Sequence, residues 1–343
     1  MAVKIVGLGA SLPRHKVSNK KISDNLDTSD EWITTRTGIK NRFHSSDGEH
    51  TSTLAYKAGK AALSSMNRKD DFDIDTLILA TSTPDRLCPA TAPKVATMLG
   101  VGRIRAFDIN AVCTGFVYGL ELAETFLRSG KSKRLMLIGA DVFTTILDKN
   151  DRATYPLFGD GAGAIILEQG DEENLLATYT GSDGEYENLI TILNGGSESK
   201  LSKNRSFGME HSYFKMEGKE VFLKAISHME SSVQKVLKLS GTTASEIDYI
   251  VPHQANKRII DTLTQLLGMK KDQALMSLEE FGNTSTASIP LTLAMHAECQ
   301  TVRPGHKIVI TAFGGGITWG AAVLKWPSTK ISPIILNSLT EGI

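Results

Sequence analysis

The chain has 343 residues, with 38 basic and 38 acidic side chains, and this balance gives no support for nucleic acid as the main partner. No apolar run reaches membrane-spanning length and no cleavage-like site follows the apolar start, so neither membrane insertion nor a signal peptide is expected. Three widely spaced cysteines without a CxxC or HExxH pattern favour reduced thiols in the cytoplasm and no metal site.

Strand-like and helix-like stretches alternate along the chain, which is typical of α/β proteins. Apolar runs predict strands at 4–10, 75–83, 134–141, 163–169, 249–254 and 307–314. Helical spacing of apolar residues predicts helices at 51–66, 90–99, 115–128, 217–239, 256–267 and 286–298. The polar stretch from Gly181 to Met209 is expected to be a long connection that could line a pocket.

Two parts of the sequence echo each other. "FDIDTLILATSTPDR" (72–86) resembles "SEIDYIVPHQANKR" (245–258), and "RLMLIGAD" followed by "FGDGAGAIIL" resembles "KIVITAFGGGITWGAAVL". The offset of roughly 170 residues predicts two related halves. "FGDGAGA" and "FGGGITWG" join strand-like segments and do not precede helices, so they predict tight turns with available backbone N–H groups rather than nucleotide binding.

Cys113 lies between a strand-like run, 106–111, and a helix-like run in "DINAVCTGFVYGLELAETFLRSG". A thiol at a helix N-terminus meets the positive end of the helix dipole, which favours the thiolate. The alternative interpretation is an inert core cysteine at an element boundary.

Two more polar side chains follow predicted strands or turns. His253 stands in "VPHQANKR", and Asn283 follows a glycine in "EEFGNTSTASIP". Each has a structural alternative, since isolated histidines are often structural and Asn is a good helix cap. Because α/β sheets bind ligands at the carboxyl ends of strands, Cys113, His253 and Asn283 are predicted to share one site.

The ordered motifs "VGLGASLP", "TSDEWITTRTGI", "DINAVCTGF", "FGDGAGA", "VPHQAN", "GNTSTAS" and "FGGGITWG" cover nearly the whole chain. Their order resembles the β-ketoacyl-acyl-carrier-protein synthase III family of the thiolase-like superfamily. The resemblance implies an α/β, thiolase-like, five-layer αβαβα sandwich made of two pseudo-symmetric halves, and a homodimer. The Cys-bearing half is expected at 1–175, the His- and Asn-bearing half at 176–327, and a tail at 328–343.

The resemblance also implies a mechanism. Cys113 would take an acyl group from acyl-CoA, and His253 and Asn283 would hold the carbonyl of malonyl-acyl-carrier-protein during decarboxylation. The backbone N–H groups of Cys113 and Gly315 would form the oxyanion hole. Acyl-CoA and the malonyl carrier protein are substrates, so no cofactor is implied.

Binding residues follow from the same resemblance. CoA contacts are expected from Thr28, Trp32, Arg36, Arg152 and Asn256, and the acidic carrier protein is expected to meet Arg258. The alternatives are surface packing for Trp32 and solvated ion pairs for the arginines. The acyl pocket is assigned to Phe143 and Phe222 of one protomer and to Cys88 of its partner, with Leu87 as the alternative to Cys88 because of an extra residue nearby. Members restricted to acetyl often carry Phe at the position of Cys88, so this pocket is expected to accept longer acyl groups.

Several departures from common members leave two functions open. Lys219 replaces a common Asn, Ala153 replaces a common Gly, and the region of "CPATAP" carries an extra residue. The chain therefore resembles either an initiating enzyme of fatty acid synthesis or a specialised alkylquinolone- or dialkylresorcinol-type relative that uses a longer acyl donor. The intact Cys113, His253 and Asn283 argue against a non-catalytic partner subunit, and "FGGGITWG" lacks the second cysteine of thiolases.

Overall fold

The computed structural model describes residues 1–66, 73–201, 208–328, 331 and 333–337. Its strands are β1 (Ala2–Leu12), β2 (His15–Ser18), β3 (Asn41–His44), β4 (Thr76–Ala80), β5 (Arg105–Ile109), β6 (Arg134–Asp141), β7 (Gly161–Gly170), β8 (Leu175–Ser182), β9 (Ile190–Thr191), β10 (Lys215–Met216), β11 (Tyr249–Pro252), β12 (Lys307–Gly314), β13 (Thr318–Lys325) and β14 (Ile334–Asn337). Its α-helices are α1 (Asn19–Ser23), α2 (Asp30–Thr37), α3 (Thr51–Ser64), α4 (Ala92–Leu99), α5 (Gly115–Arg128), α6 (Ser197–Leu201), α7 (Gly218–Ser240), α8 (Lys257–Leu266), α9 (Leu278–Phe281) and α10 (Ser288–Glu298).

Two sheets repeat one strand arrangement. The first has the order β14-β1-β7-β6-β4-β5, and the second has the order β11-β12-β13-β8. In the first, β4 is parallel to β6, and β7 is antiparallel to both β6 and β1. In the second, β11, β12, β13 and β8 are paired in the same way. In the first sheet, β5 pairs in parallel with the outer side of β4. At the corresponding position of the second sheet, beside β11, there is an isolated parallel bridge between Ile250 and Ala274. The two related halves predicted from the sequence echo are therefore confirmed.

Alternating side chains of each sheet pack on opposite faces, which produces five layers. In the first sheet, Leu77 and Leu79 face the outer helices α3 and α4, whereas Ile78 faces the centre. In the second, Val309 faces the outer helices α7 and α8, whereas Ile310 faces the centre. The central layer contains α5 and α10, whose apolar side chains belong to one buried cluster with the inner faces of both sheets.

The glycines of "FGDGAGA" correct a sequence-based expectation. The predicted tight turn is wrong, because Gly161 and Gly163 belong to strand β7. A Cβ at Gly163 would stand 2.6 Å from the Cβ of Pro290, so this glycine allows α10 to approach the sheet closely. By contrast, "FGGGITWG" does form the turn between the antiparallel strands β12 and β13.

Two other boundaries differ from the prediction. The strand expected at 75–83 ends at Ala80, because residues 81–83 turn to donate hydrogen bonds to Asp141. The long connection expected at 181–209 begins with the end of β8 and contains β9 and α6, and its residues 202–207 lie outside the described part.

The predicted tail is described in part. β14 extends the first sheet by pairing in parallel with β1, while 329–330, 332 and 338–343 lie outside the described residues. The boundary predicted after residue 175 falls at the start of β8, and the division into 1–175 and 176–327 stays a prediction. Across the described ranges, the helices lack the combined length and apolar character that a membrane crossing requires.

Candidate active site

One short segment connects the three predicted catalytic residues. The donor segment, residues 283–288, runs from Asn283 through the 3-10 turn Ser285–Ala287 to the first residue of α10. The Ser285 Oγ lies 3.7 Å from the Cys113 Sγ, and the Ser288 Oγ lies 2.6 Å from the His253 Nδ1. The donor segment thus links the half-buried Cys113 with the buried His253 and Asn283 between the two halves.

Cys113 occupies the predicted position at the start of a helix. It lies in the 3-10 turn Val112–Thr114, which leads directly into α5. The end of β12 packs against this turn, and a Cβ at Gly314 would lie 3.0 Å from the Cys113 backbone nitrogen. The Thr318 hydroxyl of β13 donates to the Ala111 carbonyl at 3.1 Å, so the second half fixes the turn that carries the thiol.

Desolvation opposes the preference for a thiolate that the helix start gives Cys113. Desolvation raises the pKa of the Cys113 thiol to about 12, the nearby Asp141 carboxylate raises it further, and the Ser285 hydroxyl opposes both effects. The helix start favours the thiolate, but burial penalises a charge more strongly than this orientation compensates. The raised pKa keeps the thiol protonated at neutral pH, so desolvation outweighs the preference for the thiolate that the helix start provides.

His253 and Asn283 form a neutral pair of polar groups. His253 follows β11 and is buried, and desolvation lowers the pKa of its imidazole to about 3. The Asn283 Oδ1 accepts a hydrogen bond from the Ser285 backbone N–H at 2.9 Å, so the Asn283 amide nitrogen remains as a donor. Uncharged donors in a dry site can stabilise a developing oxyanion without introducing a competing nucleophile.

Asp141 is a buried carboxylate that the sequence does not single out. It ends β6 and accepts hydrogen bonds from the hydroxyls of Thr81 and Thr83 and from the Ser82 backbone N–H. Its second oxygen accepts from the Thr286 backbone N–H at 3.1 Å and the Thr286 hydroxyl at 2.8 Å. The sequence feature that could have identified Asp141 is its position as an acidic residue at the end of the apolar run "RLMLIGAD".

An aromatic cluster stands behind Asn283. Phe143 stacks on Phe158 with ring centres 4.4 Å apart, and Phe214 meets both rings edge-on at 5.2 Å. The backbone of Phe158 pairs with that of Asn283 in a one-residue bridge. Phe143 is therefore buried beside the candidate site, and Phe158 and Phe214 are neighbours that the sequence does not assign to it.

The remaining assigned residues of the oxyanion hole and acyl pocket occupy different surroundings. Gly315 opens the β12–β13 turn, where a Cβ would lie 3.1 Å from the Ile190 side chain, and Ile190 packs against the aromatic cluster. Phe222 is half-buried on α7 and packs against the outer cluster of the second half. Cys88 is exposed, so it lies outside the buried cluster of its own chain.

The residues expected to bind CoA gather around an exposed indole. Trp32 is 37% exposed, and the guanidinium carbons of Arg36 and Arg152 lie 5.8 Å and 5.4 Å from its ring centre. Arg152 also forms a 3.1 Å ion pair with Asp27. Thr28 is half-buried just before α2. Two cations beside one accessible aromatic ring suit an anionic ligand that carries a flat base.

Asn256 joins this group to the start of α8. Its amide donates to the Arg36 carbonyl at 3.2 Å, and its Oδ1 accepts from the Arg258 backbone N–H at 2.8 Å. Arg258 is exposed in the first turn of α8. The structure therefore places four of the five predicted CoA residues in one network and puts Arg258 next to it.

Comparisons with known proteins show which family this chain belongs to. A family model described as 3-oxoacyl-[acyl-carrier-protein] synthase III matches residues 107–184, and a model of its C-terminal part matches 237–326. β-Ketoacyl-[acyl-carrier-protein] synthase III 3 of Streptomyces coelicolor is 44% identical over 328 residues, which are 94% of this chain and 97% of that protein. This chain belongs to the β-ketoacyl-acyl-carrier-protein synthase III family.

Solved structures of a synthase III and of a priming β-ketosynthase have the same fold. The 3-oxoacyl-(acyl carrier protein) synthase III of Pseudomonas aeruginosa PAO1 is 40% identical, with a TM-score of 0.87 over 96% of this chain and 99% of that one. The priming β-ketosynthase of the R1128 polyketide pathway is 29% identical, with a TM-score of 0.88 over 95% of this chain and 96% of that one. These likenesses confirm the thiolase-like sandwich.

The pH dependence of alkylation tests the protonation of Cys113. In a Cys88→Ala/Cys299→Ala protein, only Cys113 reacts with iodoacetamide. Since its pKa is raised to about 12, the reaction rate should increase about tenfold for each pH unit up to pH 10. The unfolded protein should instead level off near the ordinary thiol pKa of about 8.5. A folded-state plateau below about pH 9 would contradict the desolvated thiol.

Proposed function

We propose that the protein catalyses the decarboxylating Claisen condensation of an acyl-CoA primer with malonyl-acyl-carrier-protein, giving the β-ketoacyl thioester that initiates fatty acid synthesis. The observation that carries this proposal is the donor segment, which holds a neutral His–Asn donor pair beside the Cys113 thiol. The specialised alternative has weaker support, because relatives at 40–44% identity carry the synthase III name and the polyketide priming enzyme is only 29% identical.

The first half-reaction transfers the acyl group to Cys113. The Cys113 sulfur attacks the acyl-CoA carbonyl, a new sulfur–carbon bond forms, and the bond to the CoA sulfur breaks. The thiol proton leaves with CoA, which departs as a thiol. The backbone N–H groups of Cys113 and Gly315 are the proposed donors to the carbonyl oxygen, and the close approach of Gly314 to the Cys113 nitrogen supports this assignment.

The second half-reaction forms the carbon–carbon bond. His253 and Asn283 donate to the malonyl thioester oxygen, so negative charge can collect there as carbon dioxide leaves. The resulting carbanion attacks the acyl-Cys113 carbonyl, and the Cys113 sulfur leaves with the electron pair of its bond. Because the pKa of this thiol is about 12, the released thiolate readily takes up a proton and restores the resting state. No step requires a metal or a cofactor beyond the two substrates.

The nucleotide of CoA and the carrier protein are proposed to bind to exposed or half-buried residues around Trp32. Trp32, Arg36, Arg152, Thr28 and Asn256 would hold the nucleotide of CoA, and the indole with its two guanidinium neighbours supports this role. Arg258 would meet the acidic carrier protein, which its exposure beside this cluster supports.

We also propose a homodimer that acts in the cytoplasm. The edge strand β5 leaves one side of the first sheet available to a second copy, and its residues are exposed or half-buried. The exposed Cys88 could then enter the partner's acyl pocket, together with Phe143 and Phe222 of that protomer, and accommodate a primer longer than acetyl. Three free cysteines suit a reducing compartment.

Separate assays of the half-reactions test the proposed roles. In His253→Ala and Asn283→Ala, an acyl-CoA should still add its acyl mass to Cys113, because neither residue acts in that step. Condensation of the acylated variants with malonyl carrier protein should fall on the order of a hundredfold or more, as for a lost oxyanion donor. Mass spectrometry of the intact protein and product assays give both rates.

Cys113→Ala is the control for this assay, and it should carry no acyl group. A stable adduct on another peptide in that variant would remove Cys113 as the nucleophile. An equal loss of acylation in the His253 and Asn283 variants would reject the division of roles.

A comparison of two acyl donors tests the CoA site. Trp32→Ala should weaken the use of acyl-CoA by about 1–3 kcal/mol in kcat/KM, by analogy with base–aromatic stacking. It should leave an acyl-N-acetylcysteamine thioester unaffected, since this donor lacks the nucleotide. Trp32→Phe is the matched control and should retain most of the preference for acyl-CoA. Equal losses with both donors would remove Trp32 from the CoA site.

A further inference from the structure

The side of the His253 ring that faces α10 has one hydroxyl partner. The Ser288 Oγ lies 2.6 Å from the His253 Nδ1, and the Gln254 backbone N–H donates to the same oxygen at 3.4 Å. Ser288 is buried and is the first residue of α10. Its position is fixed by the helix, because the Ser288 carbonyl accepts a hydrogen bond from the Thr292 hydroxyl at 2.8 Å.

These contacts determine which atom carries the shared proton. A backbone N–H can only donate, so the bond from Gln254 uses a lone pair of the Ser288 oxygen. Within the described ranges, the Ser288 Oγ has no hydrogen-bond partner other than Gln254 and His253. A buried hydroxyl proton without an acceptor would be costly. The Nδ1 of His253 is therefore the acceptor, and its lone pair is occupied.

We propose that Ser288 is a positioning residue that holds His253 as the tautomer with its proton on Nε2. In a neutral imidazole, one nitrogen accepts and the other donates. With Nδ1 accepting from Ser288, Nε2 presents an N–H to the malonyl thioester oxygen and has no lone pair with which to deprotonate Cys113. This inference rests on the role of His253 given under the proposed function.

The surroundings of His253 make the tautomer the decisive variable. Burial lowers the pKa of the imidazole to about 3, so the ring stays neutral at working pH and has only one proton to place. Without Ser288 the proton can move to Nδ1, and Nε2 would then direct a lone pair at the substrate oxygen. Such a ring still fills its space but repels the charge that develops during decarboxylation.

The test compares Ser288→Ala with wild type in both half-reactions. Condensation of pre-acylated protein should fall about 10- to 100-fold, by analogy with the loss of a partner that orients a metal-ligating imidazole. Acylation of Cys113 should be unchanged, since Ser288 contacts only the His253 side. Ser288→Thr keeps the hydroxyl and should recover much of the condensation rate. Ser232→Ala is the matched control, because Ser232 is also a buried helical serine and donates to a backbone carbonyl.

A spectroscopic measurement separates positioning from simple structural damage. In histidine-¹⁵N-labelled wild type, long-range proton–nitrogen correlations, assigned by comparison with His253→Ala, should show protonated Nε2 and unprotonated Nδ1 without any substrate. Ser288→Ala should show a mixture or the reverse. A wild-type ring protonated at Nδ1, or full condensation by Ser288→Ala, would overturn the inference. Absence of condensation by the wild type would instead overturn the proposed function and leave the tautomer measurement standing.

Discussion

The buried carboxylate of Asp141 is the constraint on which the site depends. A charge taken out of water must be fully hydrogen-bonded, and Asp141 has five donors, two of them on Thr286 of the donor segment. Gly139, two residues earlier, allows this approach, since a Cβ there would lie 2.5 Å from the Thr286 carbonyl oxygen. Fixing Thr286 also fixes Ser285 against the thiol and Ser288 against His253.

The duplicated fold explains why this anchor lies where the chemistry is. α5 and α10 both belong to the central layer, and both begin at the site, one just after Cys113 and the other at Ser288. Packing from both sheets leaves His253 and Asn283 buried and Cys113 half-buried there. The same desolvation raises the pKa of Cys113 and lowers that of His253. Both groups are therefore neutral at rest, and charge arises only during the reaction.

The spacing of apolar residues along the sequence predicted the main helices and strands. The helices at 115–128 and 257–266 and the strands at 134–141 and 307–314 agree with their apolar periodicity, and motif order pointed to the family. The hydrogen bonds that hold the donor segment could not be predicted, because they join residues far apart in sequence. Asp141 and Thr286 are 145 positions apart, and His253 and Ser288 are 35 positions apart. The helix start at Cys113 could be predicted, but the desolvation that raises the pKa of its thiol could not, since the surroundings of one sulfur are not visible in a sequence. Likewise, the glycines inside β7 serve a helix that is distant in sequence.

The most direct test of the central claim is the rate of both half-reactions in Asp141→Asn. The amide is nearly the same size, but either orientation turns its NH₂ group toward a backbone N–H, that of Thr286 or that of Ser82. Two donors then meet, and the anchor that holds the donor segment to β6 is weakened. The account predicts that acylation and condensation fall together, on the order of tenfold to a hundredfold, because small displacements of reacting groups are costly. A folded Asp141→Asn protein that performs either half-reaction at the wild-type rate would contradict it.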